Sequence, residues 1–328
     1  MPHRAAVTAQ GQVELQTFDP PPLQPHEVLI ETTVSLISPG TERAFFLGLP
    51  NTTLPYPIFP GYSNVGRIVK CGTAVTTLAV GDRVASPAAH ASQVVVTAER
   101  CVPIPVAVGD ESAVFFNLIA IAMQGIHKAR IELGESVAVI GAGLIGLFAV
   151  RLAQLAGGLP VISIDQKPER LALAAQLGAD VTLISDESIT SALSSELQTD
   201  GATVVIEATG ATAPVLMAFQ LARPGGRVIL LGSARGEADG VNFYRDVHRK
   251  GLTIIGAHEY TRPAHQSYPG WWTQLDEQHI ALHLLAKGRM DVSPLITHRF
   301  AWEQFPQAYE MLRAWNSGAM GMVIRWQP

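Results

Sequence analysis

The sequence predicts an α/β protein with two domains, one β-rich and one built on a doubly wound parallel sheet. Three observations carry this. The first hundred residues hold short β-branched runs punctuated by Pro and Gly. From about residue 112, apolar runs of strand and helix length alternate. The first of these alternations contains a glycine-rich strand-to-helix turn. With 328 residues, the chain is long enough for two domains of ordinary size.

In the first region, EVLIETTVSLI, GRIVKCG, DRVAS and SQVVVTAER read as strands of a compact barrel or folded sheet. PPPLQPHE, SPGTE and LPYPIFPG read as the punctuation between them. ESAVFFNLIAIAMQGIHKA is long and apolar enough for a buried helix. SVAVIG, PVISID, VTLI, TVVIEATG, RVILLG and LTIIGA then read as parallel strands. LIGLFAVRLAQLAG, PERLALAAQLG and APVLMAFQLARPGG read as helices among them. After Gly256, HEYTRPAHQSYPGWWTQ reads as a loop, DEQHIALHLLAKGRM and WEQFPQAYEMLRAWNSG as helices, and GMVIRW as a closing strand.

Composition narrows the function. Hydrophobic residues make up 48% and charged residues 16%, a globular balance. A formal charge of -5 gives no electrostatic reason to expect nucleic acid or an anionic membrane as partner. Cys71 and Cys101 lie in no metal-binding spacing, which excludes a disulfide framework or a Cys-rich zinc knuckle. The N-terminal stretch has no apolar run of secretory type. The most apolar stretch, Val137 to Ala156, is broken by three glycines and carries Arg151, so it reads as strand, turn and helix rather than a membrane span. A cytoplasmic setting is the expectation.

VAVIGAGLIG places Gly141, Gly143 and Gly146, with Leu144 and Ile145 between, in G-x-G-x-x-G spacing. The first glycine permits a tight turn, the second lets backbone approach a pyrophosphate, and the third lets helix pack closely on strand. The helix N-terminus then aims free N–H groups at the phosphates. Asp165, followed by Gln166, ends the next strand 19 residues after Gly146 and can accept both ribose hydroxyls. It would repel a 2′-phosphate, so NAD(H) is expected over NADP(H). Lys167 and Arg170 lie just beyond and weaken that preference; alternatively Arg170 lies along the adenosine edge. Thr209–Gly210 and Gly232–Ser233 follow two later strands, at carboxyl ends that face the ligand crevice of such a sheet.

HEVLIETTVSLISPGTE, PGYSNVGRIV, GDRV, GAGLIG with Asp165, IEATG, PGGRVILLG and PLITHRFAWEQFPQAYEML occur in this order. On them the chain resembles the medium-chain dehydrogenase/reductase superfamily along nearly its whole length. The resemblance implies a GroES-like β-barrel catalytic domain over 1–117, a Rossmann NAD-binding domain over 118–257, and a return segment over 258–328 that completes the first. It also implies an active site in the cleft between the two.

The departures from the family pattern bear on the chemistry. The zinc alcohol dehydrogenases place Cys before Gly-Thr/Ser-Asp; this chain has Pro39 before Gly40-Thr41-Glu42. They have Gly-His-Glu where this chain has Gly61-Tyr62-Ser63. A further ligand is expected near Asn117, and the Cys-rich lobe is deleted, with ASPAAH running directly into ASQVVV. Zinc needs three or four N, S or carboxylate ligands, so a metal-free protein is expected. SPGTER and His90-Ala91 are similar to a zinc-free subgroup that includes bacteriochlorophyllide hydroxyethyl dehydrogenase; the subgroup carries over, its substrate does not.

Without a Lewis acid, a hydroxyl or imidazole must hold the alcohol oxygen and handle its proton. By motif position Tyr62 stands where a zinc ligand would stand, and Thr41 matches the family's relay Ser/Thr. His90 enters from the shortened lobe. Tyr62 or His90 is therefore the expected acid/base group, Thr41 the relay, and Ser63 or Asn117 the orienting partner. The competing reading makes Tyr62 a wall aromatic, His90 a structural imidazole and Asn117 a helix bridge. His258, Tyr260 and Trp271, with His265, Tyr268 and Trp272, offer aromatic faces to a sugar, cyclitol or flat ring; alternatively the tryptophans anchor the loop. His279 and His283 read as a solvated helix face. The expected function is an NAD-dependent, zinc-independent oxidoreductase of a small-molecule secondary alcohol or ketone. A quinone or enoyl reductase and a non-catalytic NAD-binding sensor are the alternatives. LTIIGA, as a sheet edge, suggests a homodimer.

Overall fold

The β-branched runs of the first region pair into sheets. In the structure, a computed structural model that describes residues 1–52, 55–314 and 318–327, β1 (His3–Ala9) and β2 (Gln12–Thr17) form an antiparallel hairpin. Next come β3 (Glu27–Ile37), α1 (Pro39–Leu47), β4 (Asn64–Cys71), β5 (Arg83–Ser86), β6 (Gln93–Thr97) and β7 (Val102–Pro103). SPGTE, expected as punctuation, starts α1 instead. Pro39 fits the first turn, where its missing N–H is no loss, and Gly48 ends the helix in the left-handed region at φ 59°.

The single helix expected over ESAVFFNLIAIAMQGIHKA is two, α2 (Asp110–Ala113) and α3 (Phe116–Ala129). The break falls at Val114–Phe115, where the Ser63 hydroxyl donates to the Val114 carbonyl. A side chain from a distant turn has taken a backbone acceptor there.

The alternation then runs β8 (Val137–Ile140), α4 (Leu144–Leu155), β9 (Val161–Asp165), α5 (Pro168–Gln176), β10 (Val181–Ile184), α6 (Ile189–Leu197), β11 (Ala202–Glu207), α7 (Thr212–Leu221), β12 (Ala222–Leu230) and β13 (Thr253–Gly256). Every pairing in this six-stranded sheet is parallel, in the order β10-β9-β8-β11-β12-β13. The order reverses between β8 and β11, which puts the ligand crevice of a doubly wound sheet at the carboxyl end of β8. Ile140, Ile162, Ile164, Val205 and Phe219 are buried in its core. Each contributes about 1.5–3 kcal/mol of apolar burial. α7 stops at Leu221 instead of continuing through RPGG, because Pro224 lacks an N–H and Gly225 turns at φ 73°.

The C-terminal part adds α8 (Gln274–Ala286), β14 (Ile296–Ala301), α9 (Phe305–Met311) and β15 (Gly321–Arg325). The helix expected over WEQFPQAYEMLRAWNSG is realised as α9; Trp315, Asn316 and Ser317 lie outside the described residues. β14 and β15 extend the first region's sheet to the order β14-β15-β3-β4-β5-β7, with β6 also on β3.

The chain divides into one unit of Met1–Leu118 with Gln278–Pro328 and another of Ile119–Glu277. The returning segment, expected from residue 258, thus starts later. Residues 258–277 are tied into the second unit. Arg262 Nη2 donates to the Ala120 carbonyl at 2.8 Å, Gln124 Nε2 to the His258 carbonyl at 2.8 Å, and Glu277 Oε1 meets His127 Nδ1 at 3.0 Å.

Candidate active site

In the second unit, the turn after β8 is built for close backbone approach. Gly141 has φ 94°, and a Cβ there would meet Thr209 Cγ2 at 2.7 Å. Gly143 caps α4, and a Cβ there would meet nothing within 4 Å, so open space lies over that backbone. At Gly146 a Cβ would lie 1.7 Å from the Gly141 carbonyl oxygen, which only glycine permits. Leu144 and Ile145 open α4, whose first N–H groups have no partner within the helix.

Asp165 ends β9 and is 8% exposed. Its Oδ2 accepts the Ala142 N–H at 2.7 Å and its Oδ1 the Lys167 N–H at 2.9 Å. Arg170 Nη1 stands 3.8 Å from Oδ2, and Gln166 is exposed beside it. A carboxylate offers about four lone-pair sites, so it can accept ribose hydroxyls as well. Thr209 and Gly210 follow β11, and Gly232 and Ser233 follow β12, all at carboxyl ends of strands. A residue the sequence reading passed over supports them. Glu207, fully buried, accepts the Thr209 N–H at 2.7 Å and the Thr209 hydroxyl on Oε1, and burial raises its pKa. The glycine cradle, the helix start and the acidic strand end fit a nicotinamide dinucleotide.

In the first unit, Gly61 turns the chain at φ 99°, where a Cβ would meet His90 Cδ2 at 2.6 Å. Tyr62, half-buried, follows in this turn; its carbonyl accepts from Asn117 Nδ2 at 2.9 Å. Asn117 Oδ1 in turn accepts from Gln278 Nε2 at 2.8 Å. Ser63 is buried with its hydroxyl on Val114, and Thr41 lies half-buried in the first turn of α1. Ser63 and Asn117 thus both bond to backbone at or beside this turn.

His90 requires a correction. The sequence suggested an imidazole that reaches a substrate, but His90 is 0% exposed and both ring nitrogens are engaged. Nε2 lies 2.9 Å from Glu42 Oε2, and Nδ1 lies 2.7 Å from Ser35 Oγ, which also accepts the Trp326 indole N–H at 2.8 Å. A carboxylate only accepts, so His90 Nε2 carries the proton donated to Glu42, and Ser35, which accepts from Trp326, has its own proton available for His90 Nδ1. Glu42, 3% exposed, also accepts the Ser38 N–H at 2.7 Å on Oε1 and the Tyr309 hydroxyl on Oε2. Burial raises the Tyr309 pKa well above its ordinary value, and the Glu42 charge and the neighbouring Tyr62 phenol add to that. Sequence reasoning met Glu42 only as the end of a family triplet and did not single out Tyr309, Ser35 or Trp326.

These residues do not fit a zinc cage. Pro39 offers no ligand atom, both ends of the Asn117 amide are bonded, and Glu42 and His90 are spent on each other and on further partners. Among the described residues, no three His, Cys, Asp or Glu side chains gather. His279 and His283 lie exposed on α8.

In the loop after β13, the tryptophans act as anchors. Lys128 Nζ sits 4.4 Å from the Trp271 ring centroid, Tyr268 pairs with Trp271, and Trp272 stacks on His127 at 4.6 Å. His258 and Tyr260 are exposed, Tyr260 by 88%. Among the described residues, no helix is long and apolar enough to cross a membrane.

Known proteins agree with this architecture. A family described as zinc-binding dehydrogenase matches residues 145–277, a span without Pro39, Tyr62 and Asn117, and the alcohol dehydrogenase GroES-like domain matches residues 24–106. L-threonine 3-dehydrogenase of Rhizobium rhizogenes is 28% identical, with 93% of each chain covered. D-guloside 3-dehydrogenase of Escherichia coli K12 is 29% identical, over 75% of this chain and 71% of that protein. The crystal structure of galactitol-1-phosphate dehydrogenase from Escherichia coli shares the fold, with a TM-score of 0.87, 24% identity, and 99% of this chain and 100% of that one covered. The glycine cradle, the GroES-like sheet and these family and relative matches together support the medium-chain dehydrogenase/reductase superfamily for this chain.

Proposed function

We propose that the chain is a zinc-independent oxidoreductase that moves hydride between NAD(H) and a secondary alcohol or its ketone. Polyols, sugars and ring-bearing hydroxyl compounds are the substrate class. Relatives named for dehydrogenation of threonine and of a guloside support the alcohol chemistry. The observation that carries the metal-free part is the filling of the ligand positions: Pro39, Tyr62 and Asn117 stand there, and the nearby Glu42 and His90 are bonded to each other. The Asp165 carboxylate at the ribose position supports NAD(H), since a 2′-phosphate would meet a like charge.

Gly141, Gly143 and Gly146 bring backbone to the pyrophosphate, and the start of α4 presents N–H groups to it. Asp165 accepts the ribose hydroxyls, with Gln166 and Arg170 alongside, and Thr209–Gly210 and Gly232–Ser233 border the nicotinamide half. The bound nicotinamide supplies the hydride acceptor in oxidation and the hydride donor in reduction. The Tyr62 hydroxyl hydrogen-bonds the substrate oxygen and carries its proton, and Thr41 relays it. Ser63 and Asn117 keep the turn in place, and His258 and Tyr260 offer an exposed polar and aromatic surface to a ring. A homodimer through the edge strand β13, whose Ile254 is 37% exposed, and a cytoplasmic setting complete this reading.

The test is NAD(P)H-linked turnover on a panel of polyols, sugars and ring-bearing alcohols, set beside enones and quinones, with elemental analysis of the active protein. NAD-dependent oxidation of an alcohol at substoichiometric zinc is the expected result. Activity confined to enones or quinones, or activity that tracks bound zinc, would overturn it.

A further inference from the structure

A buried ion is costly to desolvate, and well-packed apolar replacements of such pairs are often neutral or stabilising. Glu42 is nevertheless provided with three donors from separate parts of the chain, the Ser38 N–H, His90 Nε2 and the Tyr309 hydroxyl. Each leads to a group the functional reading uses. Ser38 immediately precedes α1, so the carboxylate closes the start of the helix that carries Thr41. His90 clamps the tyrosine turn: its backbone N–H donates to the Pro60 carbonyl at 2.8 Å, and its ring closes on Gly61. Tyr309 is wedged between Phe305, stacked at 4.7 Å, and Phe46, edge-on at 5.2 Å, so its hydroxyl is held on Glu42, close enough to interact electrostatically with Tyr62.

The geometry points to the buried Glu42 carboxylate as the positioning residue that fixes Thr41 and Tyr62 toward one substrate oxygen. It does for two hydroxyls what a ligand cage does for a metal. The inference rests on the alcohol-oxidoreductase reading of Tyr62 and Thr41. Glu42 touches no reacting atom; it acts through His90, Tyr309 and the first turn of α1.

Glu42→Gln tests it in the full-length protein. All three partners donate to Glu42, so the new amide must turn its own N–H toward one of them. His90 can answer by moving its proton from Nε2 to Nδ1 and donating to Ser35. The ring ¹⁵N shifts of His90 report this directly, without turnover: the Nε2–H form is expected in the wild type and the Nδ1–H form in the variant. With the two hydroxyls displaced, kcat falls about 10- to 100-fold, while the NADH dissociation constant stays within about twofold because the dinucleotide residues are untouched. Tyr309→Phe, which removes one hydroxyl and keeps the aromatic packing, lowers kcat in the same direction and decides the matter if Glu42→Gln does not fold. Wild-type kcat in Tyr309→Phe, or in a folded Glu42→Gln, sinks this inference and leaves the functional reading standing. So does a parallel loss of NADH affinity, which marks a general structural role. A wild-type protein that binds NADH but oxidises no alcohol sinks the functional reading, and this inference with it.

Discussion

Asp165 and Ala142 are joined side chain to backbone, with Oδ2 accepting the amide N–H at 2.7 Å. The carboxylate assigned to the ribose therefore also fixes the residue between the first two glycines of the cradle. Asp165→Ala removes both interactions. A hydrogen bond to a charged group contributes about 1.5–3 kcal/mol, so NADH binding should weaken about 10- to 100-fold, with the NADPH-to-NADH affinity ratio rising. Fluorescence titration with both dinucleotides measures this; an unchanged ratio would remove Asp165 from the ribose position.

Gly146→Ala places a methyl group where the Gly141 carbonyl oxygen stands, 1.7 Å away. The turn after β8 and the start of α4 must separate. Overpacking of this kind costs about 1–3 kcal/mol, sometimes more. The expected outcome is a lowered melting temperature together with loss of the melting shift that NADH gives the wild type.

Tyr62→Phe keeps the ring and removes the hydroxyl. If this phenol handles the proton, kcat drops about 100-fold or more and NADH affinity does not change. Thr41→Ala should lower kcat as well, and in the double variant the two losses should not add, because both hydroxyls serve one proton path. Steady-state kinetics with stopped-flow NADH binding separates the terms, and full turnover in Tyr62→Phe would reject its role.

Glu111 links three elements of the first unit: it sits in α2 and meets Arg299 Nε of β14 at 2.9 Å and Arg325 Nε of β15 at 2.8 Å. Burial alone would raise its pKa, but hydrogen bonds from Arg325 and Arg299 outweigh that and hold it below the ordinary value of 4.5. A depressed native pKa contributes stability that is present above the unfolded value and is lost as pH falls through the native one. Glu111→Gln should therefore be less stable than wild type at neutral pH, and the gap should close as pH drops below 4.5. Melting curves over that range decide it; a gap that widens on acidification contradicts the assignment.

The parts of the fold legible in the sequence are those written locally. The parallel strands show as short apolar runs, and GAGLIG declares its own turn because each glycine answers a nearby steric demand. The helix behind SPGTE was hidden because Pro and Gly mark turns and helix starts alike. The break between α2 and α3 coincides with a contact from a serine hydroxyl 51 positions away. The candidate proton site was half visible. Tyr62 and Thr41 stand in recognisable phrases, but the bond from Tyr309 to Glu42 spans 267 positions, and no local pattern records such a pairing. For His90 the sequence leaves a proton-handling and a structural imidazole both open, and its burial against Ser35 and Glu42 favours the second, since one chain cannot tell the two apart until the partners are known.

The network around Glu42 also has an order in time. Ser35, Glu42 and His90 precede the parallel-sheet unit, while Tyr309, in α9, and Trp326, just after β15, follow it. During synthesis Glu42 and His90 emerge while two partners of their network are still unmade. Stopping the chain before α9 would leave that carboxylate without the tyrosine that caps it. Residues 309 and 326 thus stitch shut a network begun near residue 35, so nascent chains arrested before residue 309 should be more protease-sensitive than chains that carry both.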